Sequence, residues 1–210
     1  MANSDTRFGL KPVRHKSGAP YNGAVTPYSI KANYGTALYI GDPVIKVANG
    51  SNAAALSAPG VGRFAIGTLP EVEKATAGDN NRITGAIVAF GASPTALDKQ
   101  YNPASTERIV LVCDDPDMVF EIQADGAVTA AEMGLNAVLI FTHGGSTATG
   151  LSGVELDTTS DVPAADASNQ LLILRAVNRD DNDTTLIHAK VEVLINQHTQ
   201  SVGTVGTLGI

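Results

Sequence analysis

Several groupings in this sequence hold residue types capable of chemistry. Asp114, Asp115 and Asp117 flank Pro116, and Asp180, Asp181 and Asp183 bunch together further on. Clustered carboxylates can hold Ca²⁺ through hard oxygen ligands, but neither spacing fits an EF-hand loop and both lack its glycine. Solvated turns in which Asp and Asn cap their own backbone account for both groups, so no metal is expected at either. His143-Gly144-Gly145 has the composition of a hydrolase oxyanion-hole loop. Such a hydrolase also needs a nucleophile on a strained G-x-S-x-G elbow, a pattern this sequence lacks. The histidines at 15, 143, 188 and 198 show no i, i+4 or H-x-H pairing, which weakens a zinc site. Gly60-Val-Gly62-Arg-Phe-Ala65 formally matches the dinucleotide pattern G-x-G-x-x-A. A Ser-Ala-Pro loop precedes it and a strand-like Phe-Ala-Ile-Gly follows, so a turn feeding a strand is expected instead of a pyrophosphate cradle. Cys113, the one cysteine, ends an apolar run and reads as a small buried hydrophobe. No catalytic residue, cofactor or metal follows from these residues, and a structural or binding role is expected.

The one local basic cluster is N-terminal: Arg7, Lys11, Arg14, His15 and Lys16, interleaved with Phe8, Leu10 and Val13. One reading is an arm laid on an acidic partner surface. Charge would steer it, and Arg7, Phe8, Leu10, Val13 and Arg14 would make the contact. The other is an ordinary N-terminal strand with solvated lysines.

The elements that must position these groups are short strands. Gly and Pro are frequent (21 and 10 of 210 residues) and aromatic residues are only 5%. The 14 basic residues against 21 acidic ones give a net charge of −7, which argues against a phosphate-backbone binder. No apolar run reaches the roughly 20 residues of a membrane helix. A single cysteine excludes an internal disulfide framework. The first residues form no apolar signal region, so folding in a reducing cytoplasm is expected.

Prolines 12, 20 and 27 and glycines 9, 18, 23 and 35 make residues 1–35 an extended arm with one short strand at 24–30. Residues 36–47 read as two strands around Gly41-Asp42-Pro43, and 48–62 as a loop or irregular hairpin. Strands follow at 63–70, 83–90, 108–113, 118–123, 136–142, 170–177 and 187–196. Period-two alternation of Phe120 and Ile122 with Glu121 and Gln123 predicts one wet face there. Thr129-Ala-Ala-Glu132 is a capping box followed by Gly134, which predicts one or two helical turns at 127–133. A second helical turn is expected at 163–168 and a flexible stretch at 143–153. The whole is predicted to be all-β, a β-sandwich or open barrel: arm 1–35, one domain 36–198, and a flexible tail 199–210.

Phrases spread along the chain resemble tailed-bacteriophage capsid decoration (cement) proteins. They are Arg7-Phe-Gly-Leu-Lys-Pro-Val, Gly35-Thr-Ala-Leu-Tyr-Ile-Gly-Asp-Pro-Val and Tyr101-Asn-Pro-Ala-Ser-Thr-Glu-Arg. Further along come Asp114-Asp-Pro-Asp-Met-Val-Phe-Glu-Ile-Gln, Thr149-Gly-Leu-Ser-Gly-Val-Glu-Leu-Asp and Leu174-Arg-Ala-Val-Asn-Arg-Asp-Asp-Asn. The resemblance implies a virion protein on the outer capsid surface, bound to the major capsid protein. It also implies a homo-oligomer, a dimer or trimer, with no nucleic acid or membrane partner and no active site. The alternative is a β-sandwich carbohydrate- or receptor-binding virion module, for which the absence of tryptophan leaves few stacking side chains.

Overall fold

The computed structural model describes residues 3–93 and 97–201. Its first eight strands are β1 (Lys11–His15), β2 (Thr26–Ile30), β3 (Pro43–Ser51), β4 (Leu56–Ala58), β5 (Gly62–Phe64), β6 (Pro70–Lys74), β7 (Gly85–Phe90) and β8 (Arg108–Cys113). Then come β9 (Met118–Gln123), β10 (Asn136–Ala137), β11 (Leu139–Ile140), β12 (Glu155–Leu156), β13 (Leu171–Ala176) and β14 (Lys190–Ile195). The fold is all-β. Its helical content among the described residues is one 3-10 turn, Ala130–Glu132, closed by the Thr129/Glu132 capping box.

Two bodies carry the architecture. Strands β2-β6-β3-β7-β8 close into a barrel, and β1-β9-β14-β13-β10 form an antiparallel five-stranded sheet. β4-β5 and β11-β12 are small two-stranded ribbons. Every pairing between named strands is antiparallel except β2 with β6, which meet at Ser29 and Glu71. The barrel is narrow enough to be filled by its own side chains: Tyr28, Ile30, Val44, Val72, Ile87, Val110 and Val112, with Leu38 from a loop. β-branched residues suit these pleated walls. Residues pointing out of the barrel, among them Ala86 and Cys113, meet Phe120, Ile122, Leu171, Ile173, Val191 and Val193 of the sheet in one continuous core. Each large aliphatic side chain withdrawn from water there contributes roughly 1.5–3 kcal/mol.

The barrel is closed, not open, and the reason lies in the segment read as an arm. β2 pairs with β8 along its length and touches β6 on the other side, sealing the gap. β1 likewise runs along β9 as an edge strand, a place where Pro12 costs no ladder hydrogen bond, with a register shift between Pro12 and Arg14. Residues 3–35 are thus extended, as proline and glycine dictate, but both strands are built into the body. Gly9 and Gly41 let this segment come close: a Cβ on Gly9 would sit 2.2 Å from the Gly41 carbonyl oxygen. Both have positive φ, and the Leu10 N–H donates to Gly41 O at 2.9 Å.

Other departures have local causes. Residues 36–40 form isolated bridges, Leu38 with Asn102 and Ile40 with Leu151, instead of a strand. The expected strand 136–142 divides between two sheets as β10 and β11. Residues 163–168 form no helical turn; Ala164 bridges to Asn136. The expected strand 63–70 is replaced by β5 and β6 with a break between them, while 48–62 holds the first strand of a hairpin. The 143–153 stretch is anchored, since the Ile40 N–H donates to Gly150 O and Ser152 to Asp42. Of the expected tail, Thr199 and Gln200 are tied to Ile83 and Asp114, and residues 202–210 lie outside the described residues. The largest departure is on β9, where all six residues are buried. Glu121 and Gln123 are not wet. Residues 3–10 and the connection between β13 and β14 cover them, and charged partners replace water.

Candidate functional site

The N-terminal residues expected at a partner surface are spent largely within the chain. Leu10 is fully buried in the core and is withdrawn as a contact. Arg14 donates from Nε and Nη2 to Glu192 Oε2, at 2.9 and 2.6 Å. Val13 is half-buried on β1. Phe8 lines a mostly apolar groove of about 360 Å³ with Leu10, Tyr21, Ile87 and Leu151. Arg7 turns inward toward two carboxylates.

Those carboxylates belong to a partly buried polar cluster that residue spacing did not reveal. Glu155 lies on β12, which an Ala124–Leu156 bridge and an Asp125 N–H to Leu156 O bond hold against the end of β9. That places Glu155, only 3% exposed, beside the fully buried Gln123. Asp5 reaches the same point from the N-terminal segment. Asn3 pins that segment by donating to the carbonyls of Asp183 and Ile187 at 2.7 and 2.9 Å. His188 arrives from the end of the β13–β14 connection, just before Ala189, whose carbonyl accepts from the Ala124 N–H.

The cluster has two sides. On the inner side, the Gln123 amide nitrogen donates to Asp5 Oδ1 and Glu155 Oε1, both at 2.9 Å. Its oxygen accepts from the Thr6 N–H at 2.9 Å, which fixes the orientation of the amide. His188 Nδ1 faces the same two oxygens at 3.8 and 4.0 Å, beyond hydrogen-bond range. On the outer side, Arg7 lies 3.4 Å from Asp5 Oδ2 and 3.9 Å from Glu155 Oε2, and His143 Nε2 is 3.9 Å from the latter. Burial pushes the Asp5 carboxyl up, but the Gln123 hydrogen bond and the charges of Arg7 and the two histidines outweigh it and hold it below its ordinary value. Asp5, Glu155 and His188 each present a ligand atom within 4.8 Å of the others. The long separations (5, 155 and 188) explain why no motif announced them. The available signal was Glu155 itself, an acid inside the apolar run Val154-Glu155-Leu156.

The remaining chemical candidates are accounted for structurally. Asp114 accepts from Thr26, Tyr28 and Gln200, and Asp115 accepts from the Asp117 N–H and faces His15. Asp183 accepts from the N–H and hydroxyl of Thr185. Gly60 turns the β4–β5 hairpin, and Gly62–Phe64 is a strand. Burial pushes the Cys113 thiol up to about 12, as suits a packed hydrophobe. Tyr39 stacks on Tyr101 with ring centroids 5.3 Å apart, and Gly145 packs so close to the Tyr39 ring that a Cβ there would lie 2.2 Å away.

What the fold defines is an all-β protein built of a closed barrel and an antiparallel sheet, with Glu155 and Gln123 buried beside the N-terminal segment. Compared with known proteins, the chain matches no family model, no curated protein and no solved structure. Among the described residues no helix is long and apolar enough to cross a membrane.

Proposed function

We propose that this chain is a structural virion protein that binds the outer surface of an assembled phage capsid and bridges neighbouring subunits of the major capsid protein. The resemblance to decoration proteins motivates the reading. The structural observation that carries it is an aliphatic anchor on a loop: Ile66, 68% exposed, stands in an open groove with Ala55, Ala65 and Arg63. Large aliphatic and arginine side chains in such a setting suit a protein–protein contact. Val162 and Ile187, each 61% exposed, offer further anchors elsewhere. A dimer or trimer would engage several lattice sites at once, so modest contacts would add up through avidity. Binding only the assembled shell stabilises it by linkage.

The test is to add the purified chain to shells of the cognate major capsid protein and image them. Ordered extra density on the shell is expected, with at least tenfold weaker co-sedimentation for Ile66→Asp. Shells without such density defeat the reading. Light scattering checks the oligomer: a clean 21.6 kDa species argues against a closed assembly.

A further inference from the structure

We propose that Asp5, Glu155 and His188 form a binding site for a divalent transition-metal ion, with Zn²⁺ the fitting probe. The inference is independent of the capsid reading.

Three observations carry it. First, His188 Nδ1 is sealed from solvent yet has no hydrogen-bond partner, and it points at Asp5 Oδ1 and Glu155 Oε1 from 3.8 and 4.0 Å. A buried polar atom left unpaired is costly, and native interiors rarely tolerate one without a reason. A tetrahedral zinc ion with bonds of about 2.0–2.1 Å spaces its donors by roughly 3.3 Å. The imidazole would have to close by only about 0.5–0.7 Å on each side to complete such a set.

Second, the close charge compensation is thin. Among the described residues Arg7 is the one Lys or Arg side chain within 4 Å of Asp5 and Glu155. Glu155 is 97% withdrawn from solvent, and its nearest cationic atom is 3.9 Å away. A buried carboxylate is stable only when paired or bound to a cation.

Third, the surroundings orient the donors. Gln123 bonds both inner oxygens and is itself fixed by the Thr6 N–H, so the carboxylates are held with their remaining lone pairs free. Outer partners of this kind hold ligating carboxylates in metal sites. Arg7 occupies the outer oxygens and leaves the inner pair to the ion. One imidazole with two carboxylates favours zinc-like ions over Ca²⁺ or Mg²⁺, which take oxygen ligands. A fourth position remains for water or for His143, which already approaches Glu155. The ion would join the N-terminal segment, β12 and the β13–β14 connection, three segments far apart in sequence, and so stabilise the fold by linkage.

The test uses the full chain, stripped with chelator and dialysed. Isothermal titration with Zn²⁺ is expected to show one site. Free zinc a hundredfold above Kd should raise Tm by roughly 5–10 °C. Asp5→Asn, on the exposed N-terminal segment, and His188→Asn, which tolerates the positive φ at that position, should each weaken binding at least tenfold and abolish the thermal shift. Asp5→Asn keeps the test decisive if the partly buried position 188 tolerates no change. Absence of one-to-one zinc binding overturns the proposal, as does unchanged zinc affinity in both variants. Binding of Ca²⁺ or Mg²⁺ as tight as that of Zn²⁺ overturns the assignment to a transition metal.

Discussion

Two pairs of carboxylates lie along β9, one within the five-stranded sheet and one packed against Gln123 from the N-terminal segment and β12, and they are treated differently. Glu121 and Glu192 are direct register partners on β9 and β14, a juxtaposition of like charges that would be repulsive alone. Three arginines surround them. Arg14 and Arg175 both bind Glu192, and Arg179 lies 2.8 Å from Glu121. Each of these two carboxylates therefore has a guanidinium nitrogen within 3 Å. Asp5 and Glu155, at the Gln123 end, have one guanidinium at 3.4–3.9 Å and a histidine nitrogen without a bond. Guanidinium groups with good geometry make the first pair a fastener. The deficit at the second is what a cation would fill. Charge alone does not separate a structural cluster from a ligand site; the completeness of its compensation does.

The most severe way to break this comparison is to lift the segment that covers both clusters. Leu10→Ala removes a wholly buried side chain between β1 and the cluster residues Asp5 and Arg7 and should cost about 3 kcal/mol in urea unfolding. Zinc-dependent stabilisation should weaken with it. A loss below about 1 kcal/mol would show that residues 3–15 are not integral to the body.

Next is Glu192→Gln, which leaves Arg14 and Arg175 facing a neutral amide and should cost about 2 kcal/mol. The same residue sets a pH response. Burial raises the Glu192 carboxyl, but hydrogen bonds from Arg175 and Arg14, with their charges, outweigh burial and hold it below its usual 4.5. The unfolded chain therefore takes up the proton first. The Glu192 contribution is complete above about 4.5 and is lost as pH falls through the lower folded value. Tm measured across that window should fall less steeply in Glu192→Gln than in the parent, and identical slopes would count against this assignment.

The smallest effects compare two arginines on one acceptor. The side chain of Arg175 is 61% exposed and that of Arg14 only 24%. Arg175→Met should cost under about 1 kcal/mol, in the range of surface ion pairs. Arg14→Met should cost more, about 1–2 kcal/mol, because its two hydrogen bonds to Glu192 are more shielded from solvent than the two from Arg175. Equal losses would mean that burial does not grade these pairs.

Much of the fold was legible in the residues. The run Arg108-Ile-Val-Leu-Val-Cys is β8 at the expected bounds, and Met118–Gln123 is β9. Thr129 and Glu132 form the expected capping box, around a single 3-10 turn. These succeed because period, β-branching and capping are local properties. The wet face assigned to Glu121 and Gln123 failed because alternation reports which side differs, not what covers it. The barrel closure by Thr26–Ile30 was equally hidden, since no local pattern says that a strand near the N-terminus returns to pair with β8. Asp5, Glu155 and His188 gave no motif because three separate chain crossings bring them together.

The amino-acid sequence by itself determined an acidic, all-β chain of short strands, its turn positions and the burial of Cys113, all consequences of side-chain type and nearest neighbours. Only the tertiary structure decided which strands closed the barrel, that the N-terminal basic residues turn onto Glu192, Glu155 and Asp5, and that His188 meets two carboxylates. The physical reason is that burial and charge compensation depend on distance in space, and the chain sets that distance only when residues 5, 123, 155 and 188 have folded onto one another.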